Sequence, residues 1–265
     1  MATSWLGPST SANNGTPRPI DELVSFNAPG SLEADQYRTL RHVVERLSMN
    51  TELKVIAVTS PGMGDGKTVT TLNLAGSLSQ SPGTRVLVID ADLHRPAVAT
   101  HLGLGTDEGH SLEDALDTRD ATRAARAAQR IDSLNLSVLL PGSTSTPPYQ
   151  VLGSPHVGSL LTQMRGQYDY VLIDTPPAAP LADVRMLGRW VDGFIVVVSA
   201  HRTSRKQLVE ALGALDRDKV VGVVFNGDDQ PLRASHYGYY ALKHSRKAIK
   251  NGKAPKPSGP TSITG

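Results

Sequence analysis

The chain has no cysteine. That excludes disulfides, thiolate metal sites and iron–sulfur clusters, and it suits a reducing cytosol. Aromatic residues are scarce, and three of the seven tyrosines crowd into one short run, Ser235 to Tyr240 (SHYGYY). No apolar stretch approaches the roughly 18 residues that a membrane-spanning helix requires, so any membrane role is expected to run through a partner or a surface contact. Residues 1–19 lack the basic-then-apolar pattern of a secretory signal. The histidines are scattered, without the H-E-x-x-H or comparable spacing of a metal site. Charge of one sign is missing locally: residues 241–265 hold Lys243, Arg246, Lys247, Lys250, Lys253 and Lys256 and no acid. With those six set aside, 21 bases face 25 acids, so the body is mildly acidic and the basic pI of 8.8 does not imply a nucleic-acid partner.

What is present is alternation. Residues 1–30 are rich in Ser, Thr, Asn, Pro and Gly, a composition that predicts a disordered arm. Residues 31–48 switch to helical periodicity, with Leu32, Tyr37, Leu40, Val43, Val44 and Leu47 near one face. Short β-branched runs then recur: 54–59 (KVIAVT), 85–90 (RVLVID), 134–140, 170–174 (YVLID), 193–198 (GFIVVV) and 220–226 (VVGVVFN). Helical segments are expected at 68–78, 111–116, 157–165, 181–190 and 204–216, with 121–130 helical or irregular. Continuously apolar strands between helices predict an α/β fold: a doubly wound, mainly parallel sheet with helices on both faces. Ligands of such sheets bind beyond the carboxyl ends of the strands. The regular pattern stops near residue 230. The expected organisation is an arm over 1–30, one nucleotide-binding domain over 31–235, and a basic, tyrosine-containing tail over 236–265, disordered like the arm.

The strand at 54–59 runs into S-P-G-M-G-D-G-K-T (residues 60–68) and then into a helix, the setting of a P-loop. Gly62, Met63, Gly64, Asp65, Gly66, Lys67, Thr68 and Val69 are the candidate nucleotide-binding residues. Backbone N–H groups of such a loop surround phosphate oxygens, and the positive end of the next helix adds to them. Lys67 would reach the β- and γ-phosphates of ATP, and the Thr68 hydroxyl would face Mg²⁺. Pro61 stands where the usual eight-residue pattern has its first Gly. Two further strands end in acids, as Asp90-Ala-Asp92-Leu-His94-Arg95-Pro96 and as Asp174-Thr-Pro-Pro177. Carboxylates beside a P-loop suit phosphoryl transfer, where they hold the metal and orient the nucleophile. The plainer reading is that these aspartates cap the helices that follow. Asp183 reads as a cap or a supporting group.

These motifs resemble those of the bacterial tyrosine kinases, the cytoplasmic autokinases of capsule and exopolysaccharide synthesis within the ParA- and MinD-like P-loop ATPases. The resemblance covers roughly residues 31–240. GDGKT is similar to the family's GEGKS/T. VLVIDADLHRP is similar to its second Walker-type motif, an apolar run followed by D-x-D-x-R. YVLIDTPP resembles its Walker B form. DQYRTLR (Asp35, Arg38, Arg41) resembles an E-x-x-R-x-x-R motif through which subunits assemble into rings, and SHYGYY stands where the family carries its phosphorylated tyrosines.

The resemblance implies that Lys67, Asp90, Asp92 and Asp174 form the catalytic set. Thr68, Asp90, Asp92 and Asp174 would attend Mg²⁺, and Tyr237, Tyr239 and Tyr240 would be the phosphoacceptors. A tyrosine hydroxyl ionises near pH 10, so its attack at neutral pH needs a general base, and Asp90 is the candidate for that role. The resemblance further implies a homo-oligomeric ring and a membrane-anchored co-polymerase partner that activates the kinase. The protein would then be cytoplasmic and peripheral to the inner membrane. His94 stands where many members have Arg, with Arg95 one place on, and Asp35 is one methylene shorter than the family's Glu.

Two other readings compete. A ParA/MinD-type switch ATPase would carry an additional Lys early in its P-loop, where this chain has Gly62. A catalytically weak ATP-binding regulator would show losses in the catalytic set, whereas Lys67, Asp90, Asp92 and Asp174 are all present. The tyrosine cluster could instead be a packing edge, the Tyr37–Arg41 helix an amphipathic cover, and the basic tail a solvated segment or a contact for anionic lipid.

Overall fold

The computed structural model describes residues 19–104, 111–116, 127–142, 146–178 and 183–227. Tyr237, Tyr239 and Tyr240 lie outside the described residues, as do residues 121–126 of the segment expected to be helical or irregular over 121–130, whose end enters a short strand at Gln129.

Among the described residues, seven strands form one sheet in the order β3-β4-β2-β5-β1-β6-β7. They are β1 (Val55–Thr59), β2 (Val86–Asp90), β3 (Gln129–Ile131), β4 (Leu136–Leu139), β5 (Tyr170–Asp174), β6 (Gly193–Ser199) and β7 (Val220–Asn226). All neighbours pair parallel except β3, which runs antiparallel to β4 at one edge. β1, β2, β4 and β6 are buried at every residue. That accounts for their continuously apolar sequences, since a parallel strand covered on both faces has no polar side to alternate with. β3 is short, with exposed Arg130 at its middle, and no periodic signal marks it in the sequence.

Helices cover the two faces. On one lie α1 (Val24–Asn27), α2 (Leu32–Asn50), α3 (Lys67–Ser79) and α4 (Val98–Leu102). Leu23, Val44, Leu72, Leu74, Leu78, Val98 and Leu102 there pack with Ile56, Val58, Val88 and Leu172 of the strands. On the other lie α5 (Leu112–Leu116), α6 (Pro148–Leu152), α7 (His156–Gln167), α8 (Asp183–Leu187) and α9 (Arg205–Ala214), which meet Val55, Leu87, Ile89, Val171 and Phe194. The doubly wound fold expected from the alternation is therefore present.

The boundary of the expected disordered arm needs correction. Leu23 is fully buried, and the backbone N–H of Ser25 donates to Asn73 Oδ1 at 2.9 Å. Residues 20–27 thus belong to the folded unit, because a few apolar side chains in a polar segment find a ready groove beside α3. The amphipathic-cover reading of the Tyr37–Arg41 segment is realised. α2 packs on α3, and Ser31 caps it by accepting from the N–H of Ala34 at 3.1 Å. Asp35 and Arg38 pair with each other, and Arg41 donates to the carbonyl of Ser77 at 2.9 Å.

Candidate active site

The strand order puts β1, β5 and β2 side by side. Their carboxyl ends deliver the three sequence motifs to one edge of the sheet, and Asp90 sits directly across the ladder from Asp174. Residues 60–66 leave β1 at this edge and turn into α3. The turn demands glycine at two points: Gly64 and Gly66 have φ of +74° and +91°, where a Cβ clashes with the backbone. A Cβ on Gly66 would also stand 1.9 Å from Asn226 Nδ2.

Within this edge the predicted residues meet. Lys67 Nζ lies 2.7 Å from Asp92 Oδ2, an ion pair with both side chains largely buried. Thr68 Oγ1 donates to Asp174 Oδ2 at 2.6 Å. Asp174 Oδ1 is buried with no hydrogen-bond partner. Burial pushes the Asp174 carboxyl up to about 7, against the opposing pull of the Lys67 charge and with the help of the neighbouring Asp90.

Asp90 has a different environment. Its Oδ2 accepts from the backbone N–H groups of Ala97 and Val98, both at 3.0 Å, and its Oδ1 accepts from the N–H of Asp92 at 3.2 Å. Burial raises its carboxyl to about 6, while those three bonds pull the other way. A carboxylate offers about four acceptor sites, so most of this one is committed to backbone. The capping reading thus applies to Asp90, which ties the end of β2 to the start of α4.

Sequence reasoning placed Asp65 in the loop but missed Arg202, Thr203 and Asn226, which hold the loop from the flank. Asp65 is buried, and its carboxylate accepts from the N–H of Gly62 at 2.8 Å and from Thr203 Oγ1 at 3.0 Å. The Gly62 N–H therefore shapes the loop in this state. Asn226, at the end of β7, donates to the Asp65 carbonyl at 3.1 Å, and Arg202 donates to the Gly64 carbonyl at 3.1 Å. Residues 202, 203 and 226 lie some 140–160 positions from the loop they touch, so local pattern holds no trace of them. Asp183 is buried, 2.8 Å from His94 Nε2, which fits the supporting role expected of it. Arg95 is exposed, and its backbone N–H donates to Asp92, to the carbonyl at 3.0 Å and to Oδ1 at 3.2 Å. Met63 is exposed at the loop tip, and Val69 is partly buried against the core.

The oxygen set of Thr68 and Asp174 suits a hard cation. A buried carboxylate oxygen without a partner is the group such a cation would satisfy. Among the described residues no three His, Cys, Asp or Glu side chains are arranged to hold a metal unaided. That accords with Mg²⁺, which takes one or two carboxylates and completes its shell with water and phosphate.

Comparison with known proteins places these features. The AAA domain family matches residues 53–216. The tyrosine-protein kinase YwqD of Bacillus subtilis is 34% identical over 223 residues, covering 83% of this chain and 92% of that protein. The succinoglycan biosynthesis transport protein ExoP of Rhizobium meliloti is 28% identical over 212 residues, 78% of this chain and 26% of its own length. Among solved structures, the kinase domain of the Escherichia coli tyrosine kinase ETK superposes with a TM-score of 0.72 at 25% identity, covering 87% of this chain and 89% of that one.

Proposed function

Since the chain belongs to the family of bacterial tyrosine-protein kinases, we propose that it transfers the γ-phosphate of ATP to its own C-terminal tyrosines, Tyr237, Tyr239 and Tyr240. The observation that carries this reading is the convergence of Lys67, Thr68, Asp92 and Asp174 at the carboxyl edge of three adjacent parallel strands.

Each residue has work to do in the transfer. The loop N–H groups and the start of α3 receive the phosphates. Lys67 leaves Asp92 for the γ-phosphate, where positive charge stabilises what builds up during transfer. Asp92 Oδ2, released by that exchange, accepts the proton of the incoming tyrosine hydroxyl. This assignment departs from the first expectation of Asp90 as base. The partner of Asp92 is an ammonium that the nucleotide claims, whereas the partners of Asp90 are backbone groups that nothing claims. Asp90 holds the turn that presents Asp92. Thr68 and Asp174 would hold Mg²⁺, which when bound offsets phosphate charge. A role for α2, with Asp35, Arg38 and Arg41, in contacts between copies is supported by the exposed Leu32 and Met49 on the same helix.

The relationship to a succinoglycan biosynthesis transport protein supports a place in exopolysaccharide or capsule synthesis. None of the helices among the described residues is long and apolar enough to cross a membrane, and a membrane-anchored co-polymerase would serve as the activating partner.

The test is incubation of the protein with Mg-ATP followed by mass mapping of phosphotyrosine, beside Lys67→Met. Phosphate on the tail tyrosines, lost in the Lys67 variant, is the expected result. ATP turnover with no phosphotyrosine would sink the kinase reading in favour of a switch ATPase.

A further inference from the structure

The turn that carries Asp92 into the site lies beyond the end of β2. The backbone N–H of Arg95 donates to the Asp92 carbonyl at 3.0 Å and to its Oδ1 at 3.2 Å, which closes a tight turn over residues 92–95. His94, Arg95 and Pro96 at its rim are exposed, and Leu93 is only partly buried against the core. Asp90 grips the chain on both sides, through the N–H groups of Asp92, Ala97 and Val98. Asp92 Oδ2 is tied to Lys67 Nζ at 2.7 Å, and that tie is the one the nucleotide removes when it claims the lysine.

His94 gives the turn a further anchor. Its Nε2 lies 2.8 Å from Asp183 Oδ2, and because a carboxylate only accepts, the ring N–H donates. The two ends of this bond differ in access: the His94 side chain is 41% exposed and that of Asp183 is 6% exposed. Asp183 is the first residue of α8, whose Val184 and Leu187 are buried in the core. Leu187 and Ala91, the residue between Asp90 and Asp92, line one small apolar cavity. α8 follows the strand that ends in Asp174. The bond therefore joins the two acidic motifs, with a mobile partner on the exposed turn and a fixed partner on a seated helix.

We propose that His94 is a positioning residue for phosphoryl transfer, one that holds Asp92 in place against Asp183 once Lys67 has moved to the nucleotide. The inference rests on the kinase reading above and on Asp92 as the group that takes the tyrosine proton. His94 acts through the turn, two residues from the carboxylate it steadies. The turn gives up its bond to Lys67 at the moment its carboxylate is used, so the His94–Asp183 bond matters most in the reacting state. A misplacement of about 1 Å at a reacting group can cost about 10²-fold in rate.

The test measures initial rates of phosphotyrosine formation on the full chain against Mg-ATP concentration, with Lys67→Met as the blank. Circular dichroism checks that each variant is folded at the assay temperature. His94→Leu removes the donor, and His94→Gln returns an N–H near the place of Nε2. In His94→Leu the rate at saturating ATP should fall by about 10-fold to 10²-fold, with KM for ATP unchanged. His94→Gln should recover most of that loss. Asp183→Ala should lower the saturated rate likewise, and adding His94→Leu to it should cost little more, since one bond is lost only once. A His94→Leu rate equal to the parent's overturns the proposal and leaves the kinase reading intact. So does a loss that glutamine fails to repair, a loss carried by KM, or full additivity in the double variant. Absence of phosphotyrosine from the parent removes the kinase reading and this inference with it.

Discussion

Asp174→Asn separates what the buried carboxyl does for the stability of the fold from what it does in the reaction. Its carboxyl is raised by burial to about 7, from the 3.8 of the free side chain. A carboxyl raised in the folded state leaves the native protein holding a proton that the unfolded chain has lost. Stability from this group is therefore complete below the unfolded value and drains as pH rises through the folded one. Linkage gives about 1.4 kcal/mol for each pH unit of that interval. Between pH 5 and pH 7 this group should remove roughly 3 kcal/mol from the nucleotide-free protein, and little more above pH 7. Asparagine does not titrate, and its carbonyl oxygen still accepts from Thr68. Urea midpoints of both proteins from pH 5 to pH 8.5, with chelator and without nucleotide, measure the difference. The variant should gain on the parent as pH rises, while its phosphotyrosine formation falls by about 10² or more, since a charge aimed at the reaction is gone. Parallel pH profiles would refute the assignment of a raised carboxyl at Asp174.

Other perturbations test the rest of the site. Gly66→Ala should abolish nucleotide binding by calorimetry and lower the urea midpoint, because φ of +91° and a Cβ 1.9 Å from Asn226 Nδ2 force the loop to move. Thr203→Val removes a donor from the buried Asp65 carboxylate, at an expected cost of about 1–3 kcal/mol in chemical denaturation. It should raise KM for ATP more than it lowers kcat, with Thr203→Ser restoring both. Leu72→Ala, in the fully buried face of α3, should lose about 2–5 kcal/mol by the same assay without changing which tyrosines are modified.

Much of the architecture is legible because it rests on local pattern. Strands buried on both faces carry unbroken apolar runs, and α2 and α3 announce themselves by periodicity and by the glycine turn before Lys67. The elements that escaped are short: α1, α4, α6 and β3 span three to five residues each, too few for a period to show. They form because the surrounding core supplies burial that their own sequences do not advertise.

The phosphate loop, the two acidic strand ends and the order in which they occur are written in contiguous residues, since each depends on local sequence and backbone geometry. How they are used depends on which segments folding brings together. Crossovers place β5 between β1 and β2, so Asp174 meets Thr68 across 106 positions and Lys67 meets Asp92 across 25. The same packing separates two aspartates that look equivalent on paper. Asp90, the last residue of β2, turns inward to bind the backbone at the start of α4, and Asp92, two residues on in the turn beyond the strand, reaches the lysine. Loop control by Asp65, Thr203 and Asn226 is likewise a product of folding, as hydrogen bonds between distant segments depend on distance in space and leave no periodicity along the chain.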